Sequence, residues 1–95
     1  MTRGQGEKCI RIAEHYGLDC QEGQTISELS ELLHVMTRRP SQRGIDWSNC
    51  LVDEMADVII MLRQMCFLHG IDPCEVNERI NYKLNRQLER MKHGD

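Results

Sequence analysis

Residues 51–68 read LVDEMADVIIMLRQMCFL, and the interpretation of that run decides the fold. At about 100° per residue, Leu51, Met55, Val58, Ile59, Leu62 and Cys66 share one face of a helix. Ile60, Met61, Phe67 and Leu68 carry apolar character round much of the remainder, so this helix calls for more than one neighbour. Asp53, Glu54, Asp57, Arg63 and Gln64 interrupt the run, which excludes a membrane span. Within it Glu54 and Asp57 stand three apart, on adjacent turns of one face. A buried carboxylate without a partner is costly, so this pair must reach a polar cleft or meet a cation.

Upstream, residues 25–38 have the spacing of a second helix, with a core stripe of Ile26, Leu29, Leu32, Leu33 and Met36 and an end enforced by Pro40. Glu28 and Glu31 repeat the three-residue acidic spacing beside that stripe. Residues 39–46, RPSQRGID, form a polar loop, after which Asp46 or Ser48 can cap the central helix. Further back, residues 7–16 suit a short amphipathic helix stopped by Gly17, residues 17–24 read as a connector, and residues 1–6 as a loose end. Downstream, Gly70 closes the central helix. Asp72, Pro73 and Glu75 then open a fourth, whose stripe is Val76, Ile80, Leu84, Leu88 and Met91.

Alternating Val/Ile/Thr runs are absent, so the expected fold is all-α: one four-helix, bundle-like domain over residues 1–95. A chain of 95 residues buries a limited core, and the central helix has more apolar surface than its own neighbours can cover. A homodimer or homotetramer is therefore expected to complete the bundle. The net charge of −3 and the lack of a long basic block argue against stable nucleic-acid binding. Five cysteines, an odd number without a CxxC pair, read as small hydrophobes in a reducing cytoplasm. Trp47, the single tryptophan, reads as a packing or capping residue, with stacking on a base as its other use.

The pairs Glu28/Glu31 and Glu54/Asp57 are one device placed on two successive helices. If those helices pack antiparallel, four carboxylates can converge, and four like charges in one cleft call for a hard divalent cation, Mg²⁺ or Mn²⁺. Plainer roles compete. Glu28 lies three after Thr25, the spacing of a capping box; Glu31 suits an exposed helix position; Glu54 could pair with a basic side chain. Asp57 is the hardest to dismiss, being a poor helix former among Ala56, Val58, Ile59 and Ile60. Glu31 and His34 also form a Glu-x-x-His pair of the kind used in di-iron bundles, although no second such pair follows.

TISELSELLHVM, then LVDEMADVIIMLRQM, then GID and EVNERINYKLNRQLERM, resemble the MazG-like branch of the all-α nucleoside triphosphate pyrophosphohydrolases over residues 16–91. The family pattern is Glu-Glu-x-x-Glu on one helix and Glu-x-x-Asp on the next. Glu28 and Glu31 match the last two acids of the first element, Glu54 and Asp57 match the second, and Ser27 stands where the first Glu is expected. The resemblance implies Mg²⁺-dependent conversion of a (d)NTP to the monophosphate and pyrophosphate. It implies metal-binding and catalytic roles for Glu28, Glu31, Glu54 and Asp57, and phosphate contact by Lys83 and Arg86. Ser27 keeps open a non-catalytic regulatory or assembly module of the same fold, and His34 a metal-binding bundle of other chemistry.

Overall fold

The computed structural model describes residues 1–94, leaving Asp95, the last residue of the expected domain, outside the described residues. Four helices follow one another: α1 (Arg3–Tyr16), α2 (Leu18–Met36), α3 (Trp47–Leu68) and α4 (Pro73–Lys92), with a 3-10 turn at Pro40–Gln42. No strand occurs among the described residues, so the all-α expectation holds. No helix is long and apolar enough to cross a membrane.

The body of the molecule is an antiparallel hairpin of α2 and α3, with α1 laid mainly against α3. At one end of the hairpin the Gln21 amide donates to Gln64 Oε1 at 2.7 Å, and Gln64 is only 1% exposed. At the other end the Trp47 indole N–H donates to the Val35 carbonyl at 2.9 Å, while the Arg43 guanidinium lies 4.0 Å above the ring. Trp47 is thus a packing residue that closes the hairpin. Asp46 occupies the N-cap position of α3 without a side-chain capping bond.

The start of the chain differs from the loose end that its lack of periodicity suggests. Thr2 and Gln5 form a reciprocal capping box, so α1 begins at Arg3. The 17–24 connector is also replaced by helix: Gly17 alone, at φ +84°, breaks α1 from α2, and α2 runs on through Gly23. The Thr25–Glu28 capping box is consequently absent. Thr25 sits inside α2, buried, and its hydroxyl donates to the Gln21 carbonyl. Asp72 does cap α4, accepting the Cys74 backbone N–H at 2.9 Å.

The core corrects the expected stripes most. Its buried apolar side chains are Cys9, Ala13, Val35, Val58 and Met61, joined by the polar Gln21, Thr25 and Gln64. Of the stripe expected on α2, only Leu32 is half-buried, whereas Ile26, Leu29, Leu33 and Met36 are exposed. On α3, Val58 is buried but Met55, Ile59 and Leu62 are not. Helix α4 packs along none of the other three and buries no residue.

The buried amide pair gives a direct test of what holds α2 to α3. Gln64→Ala strands the Gln21 side chain without its partner, and should cost about 1–3 kcal/mol, read as a lowered urea midpoint at fixed protein concentration. Replacing both, Gln21→Leu with Gln64→Leu, should recover most of that loss, because no buried polar group is then left unpaired.

Candidate metal centre

Two helical turns along α2 from Gln21 lies Glu28, and two turns back along α3 from Gln64 lies Asp57. The antiparallel register set by the amide pair therefore brings them level. Carboxylate oxygens of Glu28, Glu54 and Asp57 all lie within 4.8 Å of one another. Glu28 and Glu54 are half-buried where the two helices meet, and Asp57 is exposed at the edge.

Each of the three is held differently. Glu28 Oε1 accepts a 2.7 Å hydrogen bond from the Gln24 amide, one turn earlier on α2. Glu54 Oε2 is buried with no hydrogen-bond partner. That oxygen keeps unmet acceptor capacity close to two further carboxylates, an arrangement that a proton or a hard cation can satisfy. Burial raises the Glu54 pKa above the ordinary glutamate range, and the charges of Glu31, Asp57, Glu28 and Asp53 push it the same way.

Glu31 is exposed and stands outside the group of three, although its charge is felt at Glu54. Lys83 and Arg86 are not brought to the acids. They lie on α4, in a shallow recess made with Gln87 and Arg90 of their own helix. Among the described residues His34 joins no ligand group, so the Glu31–His34 pairing of a di-iron site is not assembled. Ser27 is exposed.

Two contributors escaped the sequence reading. Gln24 holds Glu28 in place, a relation signalled by the four-residue spacing between them. Asp53 adds a fourth neighbouring charge at Glu54, and nothing in its spacing marks it out. No family model, curated protein or solved structure matches the chain.

The electrostatics predict a measurable cost in the absence of a cation. With its pKa raised, Glu54 binds its proton more tightly folded than unfolded, so stability declines as pH rises through and above the usual carboxylate range. In the presence of a chelator, the melting temperature should fall as pH rises from the ordinary glutamate range, about pH 4, toward neutrality. Glu54→Gln should flatten that decline and melt higher than the parent at neutral pH. A variant melting lower there would mean that the cluster carries no net repulsion.

Proposed function

We propose that the chain is a Mg²⁺-dependent nucleoside triphosphate pyrophosphohydrolase with a MazG-like fold, acting on a (d)NTP in a reducing cytoplasm. The observation that carries this reading is the convergence of Glu28, Glu54 and Asp57, with one Glu54 oxygen buried and unpartnered. The likeness of the two acidic elements and of the fourth-helix sequence to the pyrophosphohydrolase pattern supplies the reaction.

Glu28, Glu54 and Asp57 would hold the ion, an all-oxygen donor set of the kind that Mg²⁺, or Mn²⁺ in its place, prefers. When bound, Mg²⁺ neutralises phosphate charge and acts as a Lewis acid on a phosphoryl oxygen. Gln24 keeps Glu28 aimed across the seam. Glu31, exposed beside the cluster, acts as fourth ligand or accepts a proton from water. The water oxygen bonds to the α-phosphorus as the bond to the α–β bridging oxygen breaks, and pyrophosphate leaves with that electron pair. A phosphate contact from Lys83 and Arg86 requires α4 to be carried over the acids, by its own chain or by another.

The remote position of Lys83 and Arg86, together with Ser27, favours one competing reading: a module that keeps the acidic seam without turnover. Pyrophosphate release from a panel of dNTPs and NTPs with Mg²⁺ separates the two. The hydrolase reading expects release from at least one nucleotide, and a fall of about 100-fold or more in Asp57→Asn, the scale of losing one transition-state electrostatic contact. Silence across the panel, with Mg²⁺ still raising the melting temperature, supports the module.

A further inference from the structure

The chain is acidic overall, yet the loop that joins α2 to α3 carries Arg38, Arg39 and Arg43. All three are exposed, and among the described residues none of them pairs with a carboxylate. Asp46, the one acid of the loop, is no exception. Arginines on a loop ordinarily move among many rotamers, and an anion that binds them must first order them.

Arg43 is already ordered. Its Nε–H donates to the Arg38 carbonyl at 3.1 Å, and its guanidinium carbon lies 4.0 Å from the centre of the Trp47 ring. The ring is itself fixed, because the indole N–H donates to the Val35 carbonyl at 2.9 Å. The guanidinium is thus held at its inner edge by a backbone acceptor and on one face by an indole. Stacking occupies a face and leaves the in-plane N–H groups free. The two terminal nitrogens of Arg43 make no hydrogen bond and no ion pair among the described residues. Together they form the planar fork that matches two oxygens of one phosphate group. A single carboxylate would engage that fork alone. A short chain of phosphates can use the charge of Arg38 and Arg39 as well.

We propose that the α2/α3 loop is an oligophosphate-binding site, in which the Arg43 fork grips one phosphate group while Arg38 and Arg39 neutralise its neighbours. The residues that frame it lie on the acid-bearing helices. Val35 is four residues beyond Glu31 and Trp47 seven before Glu54, roughly 6 Å and roughly 10 Å along the helix axes. Resting on the pyrophosphohydrolase reading, the oligophosphate is the phosphate tail of the nucleotide, and the hairpin gains a phosphate contact that needs no movement of α4. The site itself rests on the geometry of Arg43 and stands without that reading.

Titration of the full chain with inorganic tripolyphosphate, in the presence of a chelator and without nucleotide, tests the proposal. Calorimetry and the emission of Trp47 are the readouts. The expected result is saturable binding, at least about tenfold tighter than orthophosphate and weakened by added salt. Arg43→Lys keeps the charge but loses the fork, and should weaken binding about tenfold or more, the scale of one charge-assisted hydrogen bond. Arg39→Gln, whose parent side chain makes no hydrogen bond to the fold, should weaken it several-fold. Arg79→Gln, on α4, should leave it unchanged. Asp57→Asn should also retain binding, so loss of turnover and loss of this site are read separately. Absence of saturable binding overturns the proposal, as does an Arg43→Lys variant that binds like the parent. Equal losses in Arg79→Gln and Arg39→Gln would reduce it to unspecific charge, and tighter binding of a single-stranded oligonucleotide than of tripolyphosphate would overturn the ligand class.

Discussion

The hydrogen bond between the Gln21 and Gln64 amides sets the register on which the molecule depends. A purely apolar seam between two helices tolerates sliding by a turn, because one leucine-sized side chain serves nearly as well as the next. A buried amide pair does not, since either group left alone loses its partner at a buried position. From that fixed point the two helices run in opposite senses, and equal steps along each arrive at Glu28 and Asp57. Beyond them the Trp47 indole closes the far end on Val35. The acidic group is therefore strung between two polar clamps, and its geometry follows from theirs.

A helix pair with glutamines and glutamates at its centre has a weak claim to independent stability. Only five apolar side chains are buried in the described chain, and two of them belong to α1. Burial and the opposing charges of the neighbouring carboxylates raise the Glu54 pKa, so the seam is strained electrostatically at the acids. Proteins commonly carry such local conflicts at working sites and offset them elsewhere.

How far the sequence was legible depended on which force governs each feature. Helix identity was readable because periodicity and caps are local: Pro40 ends α2, Gly70 follows α3, and Asp72 caps α4. Of the four acids, Glu28, Glu54 and Asp57 come together while Glu31 stands outside, because the three-residue spacing sets a side of each helix and leaves open which member of a pair turns inward. Burial was not readable. The stripe Ile26, Leu29, Leu33 and Met36 is the most apolar side of α2, yet the side turned to α3 is Gln21, Thr25, Glu28, Leu32 and Val35. Periodicity reports which side of a helix avoids water, and says nothing about whose surface covers it. The helical start at Arg3 and the unbroken α2 across Gly23 were missed because a side-chain capping bond and a single positive-φ glycine outweigh a few residues of poor propensity.

The clamp at the loop end also makes the chain its own optical reporter. Trp47 is the single tryptophan, wedged between a carbonyl of α2 and the guanidinium of Arg43. Its emission is tied to the state of the hairpin and is blind to α4, which carries Tyr82 but no indole. Far-ultraviolet circular dichroism, in contrast, weighs all four helices by length. If α4, which buries no residue, frays at a lower temperature than the hairpin parts, the two signals will fall apart into separate transitions. The spacing between those transitions would measure how much of the fourth helix's order is lent by surroundings and how much is its own.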